Sequence, residues 1–221
     1  MNEISKLTGV AKSTIYYHYR RIRGRTLIPV TVSQQDPELT GEFLGLFAGD
    51  GSFHLSKKYH YRVSLFFNVN ESNYVDNLIK FVLLKLFNKA PMVCRQRNVL
   101  AVMYNSKSIY GLIKSYLRWS GEKTYSIRLR KRPHSRAFMI GFLRGSMDRD
   151  GYFDEHKLQF SSVSRNLIED ISYFLHELGI GYAVYRYHEK RPNRKDIYHV
   201  NVAKKDQEFF HMLIAPRNKR K

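Results

Sequence analysis

The chain of 221 residues holds a single cysteine, Cys94. One thiol excludes an intrachain disulfide, and no Cys/His spacing of the zinc type occurs, so neither cross-links nor structural zinc hold the fold. No apolar run approaches the roughly 18 residues of a membrane span, and no signal-peptide pattern opens the sequence. A reducing, intracellular and cytoplasmic location away from the membrane is the expectation. Acidic residues are scarce as well: 19 stand against 38 lysines and arginines, for a net charge of +19. Disordered basic tails are poor in aromatics, yet aromatics make up 14% of this chain. A folded binder of a polyanion is the leading class.

What is present is one stretch that occurs twice. Gly41, Gly45, Asp50 and Gly51 recur as Gly141, Gly145, Asp150 and Gly151, one hundred residues on at every position. Glycines at i and i+4 share one helix face. Each costs about 1 kcal/mol relative to alanine inside a helix and is tolerated where another backbone approaches closely. Two such faces predict two helices packed on each other, ending at Asp50 and Asp150, with Gly51 and Gly151 as left-handed caps. A carboxylate at a helix C-terminus opposes the dipole, and two brought together repel. A divalent cation between them removes both costs.

The runs Phe43 to Gly51 and Leu143 to Gly151 resemble the two motifs of a single-chain LAGLIDADG homing endonuclease. The second copy departs from the pattern with Arg144 and Ser146 where small or apolar residues are usual. The resemblance implies an α+β fold of two pseudo-symmetric αββαββα repeats, packed through their motif helices, with antiparallel sheets forming a saddle for DNA. It also implies that the backbone carbonyls of Gly49 and Arg149 join Asp50 and Asp150 around magnesium, for which manganese substitutes. Polar and basic side chains then order water near the metals. Asn70 and Ser164 are candidates for the polar role, Arg130 or Lys131 for the basic one. Asp148 is expected to point away from the metal.

The rest of the chain divides accordingly. Residues 1–24 read as a helix-turn-helix-like extension, with Ser13, Thr14, Tyr17, His18 and Arg21 along one side of its second helix and no third helix. Residues 25–38 have the composition of a basic linker. The first repeat covers 39–132 and the second 133–221, the latter ending in a basic tail. Alternation marks strands at 52–58, 61–68, 92–97 and 99–104, then at 152–155, 157–163, 182–188 and 197–203. Helical periods fill 74–87, 109–117, 166–178 and 207–213.

A two-stranded ribbon fits the DNA major groove, so the solvent side of these strands is the expected reading surface. Ser52, His54, Lys57, Arg62, Ser64, Asn68, Arg95 and Arg97 fall there from the first repeat. Lys157, Gln159, Ser161, Arg186, His199 and Asn201 fall there from the second. A slip of one residue exchanges the two faces. Because the halves differ, the duplex target is expected to be long and asymmetric, bound by a monomer. Two other functions remain open. One is an intron RNA maturase on the same basic surface, and the other is a DNA-binding regulator on a nuclease-derived fold. Two intact acids favour cleavage. Intein membership is disfavoured, because no splicing residues flank the motifs.

Overall fold

The computed structural model describes residues 2–23, 30–32, 36–56, 61–132, 134–154, 157–192 and 194–218. Lys57 and the basic tail 219–221 lie outside the described residues. The chain divides into two compact units, 1–30 and 31–221. The first holds α1 (Asn2–Thr8) and α2 (Lys12–Arg23). Gly9, at φ +64°, makes the left-handed turn between them, and the Ser5 hydroxyl closes it by donating to the Val10 carbonyl at 2.8 Å. Leu7 and Ile22 stay almost fully exposed. No third helix completes this unit among the described residues.

The second unit is built on α3 (Pro37–Asp50) and α8 (Arg136–Asp150). Asp36 and Ser135 cap their N-termini, each side chain accepting from the backbone N–H three residues on. The two helices cross through their glycines. A Cβ on Gly41 would run into the Phe138 carbonyl oxygen, and one on Gly141 into that of Glu38. Gly45 faces Phe142 in the same way and Gly145 faces Glu42. The contact obeys the hundred-residue repeat in both directions, so it is a pseudo-two-fold axis.

Each motif helix runs straight into a sheet. From α3 come β1 (Gly51–Leu55), β2 (Tyr61–Asn68), a helical segment, and then β3 (Met92–Gln96) and β4 (Val99–Asn105). The helical segment is α4 (Ser72–Leu78), a π-turn (Ile79–Leu83) and α5 (Leu84–Phe87). Helix α6 (Lys107–Tyr116) closes the half. The segment that follows has no equivalent among the described residues of the second half: β5 (Leu117–Arg118), α7 (Lys123–Ser126) and β6 (Arg128–Leu129). After α8 the order is β7 (Gly151–Phe153), β8 (Leu158–Ser162), α9 (Arg165–Glu177), β9 (Tyr182–Tyr187), β10 (Ile197–Val202) and α10 (Gln207–Ile214). Both four-stranded sheets are antiparallel with the same connectivity, β1-β2-β4-β3 and β7-β8-β10-β9. Val63, Leu65 and Phe67 of the first, and Leu158, Phe160 and Val200 of the second, turn inward to a core shared with Phe43, Phe47 and Phe142.

Gly51 and Gly151 are not left-handed caps. Both are extended, at φ −72° and −76°, and begin the next strand. Glycine is needed there because a Cβ would strike Phe47 or Met147 of the preceding turn. Arg144 is likewise accounted for. Its guanidinium donates to Glu38 at 2.6 Å, to Glu42 at 3.2 Å and to the Ile214 carbonyl at 2.6 Å. Glu42 is fully buried and shares its other oxygen with Arg217 at 2.6 Å. Removing one partner of a buried ion pair strands the other. Arg144→Met is therefore expected to cost about 3 kcal/mol in urea denaturation. The double variant Arg144→Met/Glu42→Gln is expected to recover part of that loss.

Candidate functional site

The pseudo-two-fold axis brings the C-termini of α3 and α8 together, and with them Asp50 and Asp150. A Cβ on Gly49 would stand 2.8 Å from the Asp150 Oδ2, so that carboxylate rests in a cradle only glycine leaves open. Asp50 is half exposed, and its carboxylate pairs with the Arg149 guanidinium reaching across from α8. Arg149 also donates to the Phe66 carbonyl at 2.5 Å, lies 3.6 Å from Glu71 and stacks 4.5 Å over the Phe67 ring.

A second cation is present that sequence reading missed. Lys123 Nζ donates to the carbonyls of Phe47, Ala48 and Gly49, at 2.8, 3.0 and 2.8 Å. These carbonyls close the negative end of α3, where a cation is favoured, and that of Phe47 also accepts from the Gly51 N–H. The extra segment delivers it. Leu117 pairs with Leu129, Ser126 ties Ser120 and Glu122 together, and Trp119 packs 5.3 Å from Phe53. Burial pushes the Lys123 ammonium down to about 8, against the pull of Asp150 and Asp50 in the other direction. The Gly49 carbonyl, expected as a metal ligand, accepts one of these bonds.

The second half has a neutral counterpart. Asn218 Nδ2 donates to the Asp148 carbonyl at 3.1 Å, one hundred residues beyond the Ala48 carbonyl that Lys123 holds, and to Glu71 at 2.6 Å. The Asp148 carboxylate accepts from the Arg217 and Asn218 backbone N–H groups at 2.9 and 3.0 Å and from the Tyr74 hydroxyl at 3.0 Å. Burial raises it to about 6, with the Asn218 and Tyr74 donors pulling the other way. Asp148 is a structural acid that fastens the end of the chain to α8.

The other expected site residues separate. Ser164 is fully buried as the N-cap of α9, its hydroxyl committed to the Ile127 carbonyl at 2.9 Å and the Leu167 N–H at 3.4 Å. Arg130 donates to the Lys114 carbonyl at 2.6 Å, and Lys131 is exposed beside it. Both precede Arg136, which opens α8 and is already about 21 Å from Asp150 along the helix axis. Asn70 is exposed in the 3-10 turn Val69–Glu71, next to Glu71.

The expected reading surface is largely one face. Ser52 pairs with Ser64 and His54 with Arg62, while Gln159 pairs with Asn201 and Ser161 with His199. The Ser161 hydroxyl and the His199 Nδ1 lie 2.8 Å apart, and burial, then the Lys157 charge, lowers that imidazole. Asn68 shares the face, though its side chain caps the turn at Val69–Glu71. Lys157 is exposed just before β8. Arg95 and Arg186 fall on the opposite side. Arg95 pairs with Leu100 between core positions, and Arg186 pairs with Tyr198 and is held by Asp196 at 2.7 Å. Arg97 sits in a turn at φ +51°. In their place Gln96, Tyr152, Tyr185 and Tyr187 join the open face. In the first unit Ser13 and Thr14 open α2, with Tyr17, His18 and Arg21 following on it, and the rings of Tyr17 and His18 are 5.4 Å apart.

Two crossed motif helices, each feeding a sheet of the same connectivity, define the architecture. Residues 137–214 match the sequence profile of the LAGLIDADG-like domain. This is a LAGLIDADG fold, with both motifs in one chain. A mesophilic variant of the homing endonuclease I-DmoI superposes with a TM-score of 0.61 at 18% identity, covering 81% of this chain and 96% of that one. I-DmoI in complex with DNA and calcium gives 0.61 at 18%, covering 81% and 91%. The N-terminal LAGLIDADG domain of DUF199/WhiA gives 0.50 at 14%, covering 85% and 86%. No curated protein matches the sequence. No described helix of the chain is long and apolar enough to cross a membrane.

The donor set fits a hard divalent cation. Two carboxylates stand at the ends of the crossed helices, that of Asp150 against Gly49, and both act on the Lys123 charge. Among the described residues no group of three or more His, Cys, Asp or Glu assembles. Magnesium tolerates that, since it keeps several waters and takes one or two carboxylates together with substrate phosphate.

Proposed function

We propose that the chain is a site-specific endonuclease that makes a double-strand break in a long, asymmetric DNA target by metal-dependent phosphodiester hydrolysis. The observation that carries this reading is the placing of Asp50 and Asp150 at the ends of the crossed helices, both coupled to a lysine of lowered proton affinity that caps α3. I-DmoI, whose fold the chain shares, has been captured with DNA and calcium and with DNA and manganese. That supports both the substrate class and the choice of magnesium, with manganese as a substitute.

Asp50 and Asp150 would hold the cation, one acid for each DNA strand. The bound ion would neutralise charge on the scissile phosphate and lower the pKa of a water molecule. Lys123 Nζ, protonated below about pH 8, accepts a proton from the attacking water above it. Asn70, exposed beside Glu71, orders water at the mouth of the site. The open sheet faces, through Ser52, His54, Arg62, Ser161, His199 and Asn201, read the two unlike half-sites in the major groove, while Ser64 and Gln159 lie buried between their neighbours. Residues 1–24 act as a helix-turn-helix-like extension that lengthens the contact through α2. With both motifs in one chain, a monomer suffices.

One alternative has an observation in its favour. The Arg149–Asp50 ion pair suits a protein that binds DNA without cutting it. A single experiment separates the two: cleavage of a randomised duplex library by the wild type and by Asp50→Asn/Asp150→Asn, with magnesium or with EDTA. Magnesium-dependent cutting at one long sequence, absent from the variant, is the expected result. Retention of DNA by both proteins without cutting would replace the nuclease by a regulator.

A further inference from the structure

The start of α9 is fastened to the segment that carries Lys123. The Ser164 hydroxyl donates to the Ile127 carbonyl at 2.9 Å, and Arg128 donates to the Asn166 Oδ1 at 3.3 Å. One turn on, Asp170 accepts from the Leu129 N–H at 2.6 Å. Over this seam opens a cavity of about 420 Å³, whose wall includes Tyr125, Arg165, Asn166, Arg194, Lys195 and Asp196. Three exposed cations stand around it: Arg165, Arg194 and Lys195. The carboxylates nearby are engaged by other groups. Asp196 accepts from the Arg186 Nε at 2.7 Å and the Glu189 N–H at 3.1 Å, and lies 2.9 Å from the His188 Nδ1. Glu189 accepts from the Arg191 Nε at 2.9 Å. Glu169 pairs with Arg165 at 3.0 Å, but both are exposed and such a pair is weak. Among the described residues Arg194 forms no ion pair, and Lys195 Nζ lies 3.9 Å over the Tyr125 ring. Asn166 gives its oxygen to Arg128, which leaves its NH2 to donate. The cavity lies at the end of the second sheet nearest the two acids. Strand β8 passes Gly151, next to Asp150, at Phe160, and Val163 of the cavity wall follows about 10 Å further along.

We propose that this cavity is a phosphate site, and that it seats one backbone phosphate of bound DNA beside the helix that carries Lys123. Arginine, lysine and asparagine side chains are among the donors that phosphate oxygens take in DNA complexes. A guanidinium pairs with phosphate as well as with carboxylate, so Arg165 can exchange Glu169 for it. Such a contact carries no sequence information and instead fixes the register of the duplex. This rests on the DNA-binding part of the nuclease reading and adds to the open sheet faces an anchor next to α7.

The test is binding of the full-length protein to a duplex of random sequence, followed by fluorescence anisotropy in EDTA. EDTA prevents cutting, so the readout does not depend on catalysis. Affinity is measured from about 50 to 200 mM salt. Arg194→Gln/Lys195→Gln is expected to bind more weakly at the low end and to flatten the slope of log K against log salt by about 0.9, the share of one phosphate. Arg194→Lys keeps the charge and is expected to keep the slope. Lys204→Gln/Lys205→Gln, in the turn before α10, removes the same charge outside the cavity wall and is expected to keep it too. Circular dichroism melting checks that each variant folds, and the single variants Arg194→Gln and Lys195→Gln carry the test if the pair does not. A folded Arg194→Gln/Lys195→Gln with the wild-type slope, or equal flattening by Lys204→Gln/Lys205→Gln, would overturn the proposal and leave DNA binding standing. Inorganic phosphate is the second probe, by titration calorimetry. Its binding to the wild type but not to Arg194→Gln/Lys195→Gln, with the duplex slope unchanged, would make this a site for free phosphate and overturn the seating of DNA. A wild type that shows no salt-dependent retention of duplex would overturn both the site and the DNA-binding reading.

Discussion

Replacing Lys123 by methionine is expected to lower the cleavage rate by about two to four orders of magnitude, the range general acid–base groups contribute. It is also expected to remove the acid limb of the pH profile. In the wild type the rate should climb with pH and level off near pH 8, because the neutral amine is the working form and burial brings Lys123 down to about 8. Stability should shift in the same direction. Between about pH 8 and the ordinary lysine value of 10.5, the unfolded chain holds a proton that the folded chain has released. Stability therefore rises with pH across that window and is lowest below it. Lys123→Met abolishes this dependence. DNA binding is the control. Lys123 donates to three backbone carbonyls of α3, so its loss should leave affinity for duplex largely intact. Cleavage by Lys123→Met at wild-type rate, with an unchanged pH profile, would remove it from the chemistry.

The prominence of the motif helices and the invisibility of Lys123 in the sequence share one cause. A repeat announces itself because two copies must solve the same packing problem. Gly41, Gly45 and their counterparts are constrained by backbone on both sides, so the spacing survives in the sequence. Strand alternation is legible for a similar reason where one face is buried, as at Val63, Leu65 and Phe67. It fails on the edge strands β3 and β9, where both faces are mostly exposed and either register satisfies the pattern. Hence the strand register sets Arg95 and Arg186 opposite to the expected face, though the Arg186 side chain still borders Gln159 and His199 at the sheet edge. Lys123 has only the neutral Asn218 as its counterpart in the other half and lies in a segment without periodicity. Only its three carbonyl acceptors, brought close by the fold, distinguish it from the other lysines. Arg149 was visible as a motif position, but the direction of its side chain across the axis is a tertiary fact. Ser164 shows the converse error: a serine opening an amphipathic helix is first of all a cap.

Gly41→Ala, Gly45→Ala, Gly141→Ala and Gly145→Ala should each destabilise the second unit, although alanine is the better helix former by about 1 kcal/mol. The added Cβ would stand 2.9 Å from the Phe142 N at position 41, 2.8 Å from the Ser146 N at 45, 2.9 Å from the Glu42 N at 141 and 2.8 Å from the Leu46 N at 145. In every case a carbonyl oxygen of the facing helix lies closer still. Backbone cannot rotate out of the way as a side chain can, so α3 and α8 must move apart and the core around Phe43 and Phe142 must loosen with them. Overpacking of this kind costs about 1–3 kcal/mol, and valine at the same positions should cost more. For a unit of this size that lowers the melting temperature by roughly 2–4 °C per kcal/mol. Gly111→Ala is the internal comparison. It too lies within a helix, α6, but nothing stands within 4 Å of its Cβ, so it should stabilise by up to about 1 kcal/mol. The function should suffer more than the fold. Asp50 and Asp150 ride on the ends of these helices, and a misplacement of about 1 Å can cost roughly a hundredfold in rate. A crossing variant that melts near wild type yet cuts far more slowly would show that the glycines set the distance between the two carboxylates. Full activity together with a wild-type melt would mean that the helices do not meet through them.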